Sequence, residues 1–108
     1  MDWRPATVDE VKRIVRDGLA SCNSDLKAAF AKYRVEPYYA PIARLDNLER
    51  VVVVAQKQGR VIYWEDVEEG FGVSPISAEG QILEQDCNQN ELSLALSDLV
   101  KGGSGGEE

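Results

Sequence analysis

The stretch from Tyr63 to Pro75, YWEDVEEGFGVSP, concentrates the groups of this chain that could do chemistry. Four carboxylates, Glu65, Asp66, Glu68 and Glu69, stand between the aromatic pair Tyr63-Trp64 and Gly70-Phe71-Gly72. Acids at this density can ligate a hard cation, work as an acid–base pair, or steer a basic partner. A calcium loop spaces its acids at alternate positions around a central Gly and closes on a Glu. Here the acids come as adjacent pairs and Phe follows the Gly, so no metal is expected. An acid–base pair needs two carboxyls facing one cleft, one of them kept protonated by burial. On a strand, Glu65 falls on the Tyr63 face and Asp66 on the opposite one, while Glu68 and Glu69 fall in a turn. A docking surface fits better. Tyr63, Trp64 and Phe71 would be its anchors, and Glu65, Asp66, Glu68 and Glu69 its steering charge. The plain alternative is a core aromatic beside solvated acids that protect a sheet edge from aggregation.

There is no histidine in the 108 residues. Ser-His-Asp and Cys-His catalysis, the HExxH zinc helix and imidazole pH switching are therefore excluded. The two cysteines, Cys22 and Cys87, form no CxxC pair and read as small buried hydrophobes in a reducing compartment. Nothing in the residue pattern calls for a cofactor. Any enzyme here would rest on carboxylates, Lys, Arg, Tyr or Cys, with Glu65, Asp66 or Tyr63 in a pocket the candidates.

Charge is unevenly spread along the chain. Residues 1–50 hold nine Lys/Arg against eight Asp/Glu, residues 51–108 three against eleven, and the whole carries −7. A chain that must neutralise phosphates is not built this way, so neither nucleic acid nor an anionic membrane is an expected partner. A basic protein is. The opening MDWRPATVDE lacks the basic start and apolar core of a secretory signal, and no apolar run approaches the ~20 residues of a membrane span. The expected location is cytoplasmic.

These groups need elements to hold them. Thr7-Val8-Asp9-Glu10 fits a capping box, and Val8, Val11, Ile14, Val15 and Leu19 follow at helical spacing over about 8–21. Lys12, Arg13 and Arg16, interleaved with Asp9, Glu10 and Asp17, read as its mixed, solvated face. Asn23 or Ser24 restarts a helix with a Leu26, Ala29, Phe30, Tyr33 stripe; one long bent helix is the alternative. Pro37 and Pro41 predict an extended connector that becomes an edge strand near 42–45. Pro37-Tyr38-Tyr39-Ala40-Pro41 would cover a sheet edge or line a groove for an extended peptide. Val51–Val54 predicts a central strand covered on both faces. Lys57-Gln58-Gly59-Arg60 is a tight turn, and 60–67 returns antiparallel, with Tyr63 and Trp64 on opposite faces. A strand over 71–76, a turn at Ser77–Gly80 and a short strand over 81–84 follow. A helix capped at Asn88 or Asn90 carries Leu92, Ala95, Leu96, Leu99 and Val100, and ends at Lys101-Gly102.

The pattern predicts a single α+β domain over residues 1–101: an antiparallel meander of four or five strands, an N-terminal helical pair and a C-terminal helix. Residues 102–108 are set apart as a flexible tail. Both faces of the sheet need cover, so either the helices divide between them or one face meets another chain, which would make a homodimer. The expected function is a small acidic protein-binding module for a basic partner, of the inhibitor or immunity type by charge and size. The alternative is a small enzyme or ligand-binding protein. An exposed acidic-aromatic patch would mark the first, and a pocket around a buried carboxylate the second.

Overall fold

A computed structural model describes residues 6–44, 47–65, 69–83 and 91–105. Helix α1 (Val8–Ala20) starts from a complete capping box. Glu10 N donates to Thr7 Oγ1 at 3.1 Å, and Thr7 N donates to Glu10 Oε1 at 2.8 Å. Helix α2 (Ser24–Tyr33) has its own cap, with Leu26 N donating to Asn23 Oδ1 at 2.8 Å. That extended N-cap breaks the chain into two helices in place of one bent helix.

Four strands follow in order, β1 (Arg34–Arg44), β2 (Asn47–Lys57), β3 (Arg60–Glu65) and β4 (Gly70–Pro75), paired antiparallel as a β1-β2-β3-β4 meander. Helix α3 (Leu92–Gly105) closes the fold. The architecture is α+β, as the sequence pattern predicts. At the β2–β3 turn Gln58 and Gly59 both take positive φ, 50° and 81°, which matches the right-handed twist of the strands. The Ser77–Gly80 turn also forms: Gly80 N donates to Ser77 O at 2.9 Å, with Gly80 at φ 88°.

Three boundaries differ from the expectation. Strand β1 begins at Arg34 rather than near 42. Its prolines are tolerated because it is an edge strand, and because residues 35–37 bulge out of register opposite the single Val54. Of the strand expected over 81–84, Ile82 alone among the described residues forms bridges, and Glu84 lies outside them. Helix α3 continues to Gly105 instead of stopping at Gly102, since propagating a helix needs only one further bond per residue. Asp46, Asn88 and Asn90, expected in turn and cap roles, lie outside the described residues.

Strand β2 is buried on both faces, with Val51, Val52, Val53 and Val54 each at most 1% exposed. On one face, Val52, Val54, Ala55, Ile62, Phe71 and Val73 pack against Val11 and Val15 of α1, Phe30 of α2, and Leu92, Leu96 and Leu99 of α3. A bulge at Val54, between the Val53–Tyr63 and Ala55–Ile62 pairs, turns two consecutive β2 residues toward the helices.

All three helices thus share one face, so of the two alternatives the division of the helices between the faces does not occur. The other face is covered within the chain. Ala40, Ile42, Val51, Val53, Val61 and Tyr63 gather around Ile82. Ile82 bridges Ile42 of β1 in parallel and Ile76, just past β4, antiparallel. Its N–H donates to Pro41 O at 2.9 Å, and Leu83 N donates to Pro75 O at 3.1 Å. The sheet therefore curls until its two edges nearly meet, with residues 76–83 as the clasp. A strongly twisted meander buries its concave face this way, and that face then needs no second copy.

Among the described residues no helix is long and apolar enough to cross a membrane.

Candidate functional site

Alternation along β3 sorts the candidate residues. Val61 and Tyr63 lie on the concave face, with Ile62 and Trp64 on the helix side. Tyr63 and Glu65 are both 0% exposed. Tyr63 pairs across the strands with Gly72 and Glu65 with Gly70, so the missing side chains of β4 leave room for the large ones of β3. Ser74, also fully buried, is the cross-strand partner of Val61 and shares the concave face. Burying a carboxylate is costly unless polar groups surround it, and the Ser74 hydroxyl on this face donates to Pro75 O at 2.7 Å.

Trp64 and Phe71 form a cross-strand pair on the helix side, their rings edge-to-face at 70° with centroids 5.1 Å apart. Such a pair contributes about 0.5–1.5 kcal/mol beyond its buried area. Phe71 is 3% exposed, while Trp64 keeps part of its surface open. Between β3 and β4, Glu69 is exposed with φ 57°, and its N–H donates to Glu65 O at 2.7 Å.

Of the seven residues expected to form the docking surface, Trp64 and Glu69 therefore reach solvent. Tyr63, Glu65 and Phe71 are interior, because the curl of the sheet and the helix layer enclose both faces of the β3–β4 hairpin. They cannot act as exposed anchors. Asp66 and Glu68 lie outside the described residues.

Trp64, Glu69 and Phe71 line a groove of about 420 Å³ whose walls are Ile14, Asp17 and Gly18 of α1 and Leu92 of α3. Glu91, one residue before α3, adds a third acid to Asp17 and Glu69. Glu91 also sets a negative side chain at the positive end of the α3 dipole. Among the described residues no Lys or Arg lines this groove. Nor do any three His, Cys, Asp or Glu among them converge closely enough to hold a metal ion. What the groove can offer is a partly open indole beside separate negative charges, a combination that suits an ammonium or guanidinium group.

Asp17 and Glu91 were not singled out in the sequence. They lie far from the YWEDVEEGF stretch along the chain, and only the packing of α1 and α3 over the hairpin brings them to Trp64. The one local signal was Gly18, a glycine inside an otherwise regular helix.

No protein-family model, no curated protein and no solved structure matches this chain. Function is therefore argued from the site alone.

A second groove, of about 430 Å³, opens on the other flank of α1, between that helix, α2 and the β1 bulge. Cys22 lies in the α1–α2 connection, buried, its thiol donating to Gly18 O at 3.5 Å. Burial pushes this thiol above its ordinary value of 9.0, and the nearby Lys27 only partly opposes the shift. It is a packing residue, not an activated nucleophile.

Proposed function

We propose that this chain is a non-enzymatic protein-binding module that receives a basic side chain of a partner protein over Trp64. The observation that carries the reading is that Asp17, Glu69 and Glu91, from three separate stretches of the chain, line the same groove as the partly open Trp64. A guanidinium or ammonium group there would meet the Trp64 ring in a groove whose lining carries three separate carboxylates and, among the described residues, no cation. The net charge of −7 adds long-range attraction for a basic protein and speeds encounter. An inhibitor or immunity protein that shields a basic enzyme has this charge and size, and a cytoplasmic location belongs to the same proposal.

The test is native mass analysis of the protein purified gently from its own cells. A basic protein should accompany it in fixed stoichiometry, and Asp17→Lys combined with Glu91→Lys should release it. Recovery of the chain alone, or a partner that survives the double reversal, would overturn the reading.

A small enzyme is the second reading, favoured by one observation: Glu65 is fully buried on the same face as Tyr63 and Ser74. None of these three lines either groove.

A further inference from the structure

The cations of this acidic chain are not scattered evenly. Four of its 12 Lys and Arg, namely Lys12, Arg16, Lys27 and Arg34, line the groove between α1, α2 and the β1 bulge. Among the described residues no Asp or Glu lines it. Glu36 reaches Lys12 from outside, Oε2 to Nζ at 3.2 Å, and leaves Arg16, Lys27 and Arg34 to define the rim. The floor is apolar, made by Val15, Leu19, Phe30 and Val54. The sheet edge contributes through its bulge: residues 35–37 loop out of register opposite Val54, and Val35 and Pro37 line the groove. Along α1, Lys12, Val15, Arg16 and Leu19 sit at i, i+3, i+4 and i+7 and face this groove, while Ile14, Asp17, Gly18 and Ser21 repeat that spacing toward the acidic one. One helix thus separates two grooves of opposite charge.

We infer that the basic groove binds a small amphipathic carboxylate, a single apolar chain of medium length with one anionic head. The apolar floor would cover the chain and the rim cations the head. A volume of about 430 Å³ lies within the range of small-molecule sites. Phosphate-rich polymers fit poorly, because the floor offers them no polar partners. An anionic bilayer supplies the same head and chain, but a whole-molecule charge of −7 repels it while a single monoanion meets mainly the local cations. The occupant is therefore the free acid.

The experiment is a backbone-amide NMR titration of the full chain with decanoate, and with decanol as the uncharged match. Decanoate should give saturable shifts at α1, α2 and residues 34–37, with an affinity at least about tenfold above that of decanol. Arg16→Gln with Lys27→Gln should lower decanoate affinity about tenfold or more and leave the melting temperature within a few degrees, because both side chains are exposed. Arg34→Gln, on a different element, should weaken it in the same direction. Equal affinity for decanol, shifts confined to other surfaces, or variants that bind decanoate as well as the parent would each overturn the assignment. Flotation with phosphatidylglycerol vesicles in the absence of any decanoate binding would overturn it in favour of a membrane, and capture of an acidic peptide alone in favour of a protein.

Discussion

The backbone of Gly18 lies directly against the side chain of Leu92: a β-carbon at position 18 would stand 3.1 Å from Leu92 Cβ and 3.3 Å from its Cδ2. Here α1 crosses the start of α3, and the crossing sets both walls of the acidic groove. Replacing Gly by Ala in a helix normally gains about 1 kcal/mol, but here the crowding opposes that gain. Gly18→Val is expected to destabilise the fold by about 1–3 kcal/mol through overpacking. Urea denaturation measures it; an unchanged midpoint would mean that the two helices do not meet at this point.

Ile82, in the segment expected as a short strand, is 2% exposed and joins the two edges of the curled sheet. Ile82→Ala should cost about 2–5 kcal/mol, as much as Leu96→Ala in the helix-side core. A loss below about 0.5 kcal/mol, the level of ordinary surface changes, would show that the concave face is not closed by this residue.

Glu69 holds φ 57° without being a glycine. The left-handed conformation costs a residue with a Cβ roughly 1–2 kcal/mol, part of which Gly returns as extra entropy in the unfolded chain. Glu69→Gly should therefore raise stability by up to about 1 kcal/mol while removing one of the three acids around Trp64. More stable protein with weaker partner binding separates the role of this residue in the fold from its role in the site. A lowered melting temperature would contradict the turn geometry.

Burial raises the Cys22 thiol above 9.0 and the Tyr38 phenol above 10.0. Both groups ionise more easily in the unfolded chain than in the folded one, so the folded state holds their protons longer. Their contribution to stability is complete below the ordinary values and is lost as pH rises through the raised ones. Unfolding free energy should fall as pH rises through the ordinary thiol and phenol values toward the raised ones, and the difference between the parent and Cys22→Ala should change as pH rises past the ordinary thiol value. A difference that stays constant with pH would rule out the thiol contribution.

Much of the architecture was legible because it rests on local rules. The capping box of Thr7 and Glu10, the cap at Asn23, the positive-φ turn at Gln58-Gly59 and the β3 alternation are decided by residues within a few positions of one another. The all-valine run of β2 announced a strand covered twice. The candidate site was legible only in part. Trp64 and Glu69 were found because they lie in the acidic-aromatic stretch, whereas Asp17 and Glu91 enter from elements that touch it only after packing. Lys12 and Arg16 read as an ordinary solvated helix face until α2 and the β1 bulge supplied Lys27 and Arg34.

By itself, then, the sequence determined the element order, the antiparallel meander, the absence of histidine chemistry and the acidic balance, since composition and short-range periodicity carry these. Only the tertiary structure decided that the three helices share one face, that the sheet curls onto Ile82, and that Tyr63 and Glu65 are interior while Trp64 stays partly open. The reason is that side-chain alternation says which residues lie together on a face, but not what covers that face. Cover depends on strand twist, on bulges at Val54 and residues 35–37, and on contacts between segments far apart along the chain.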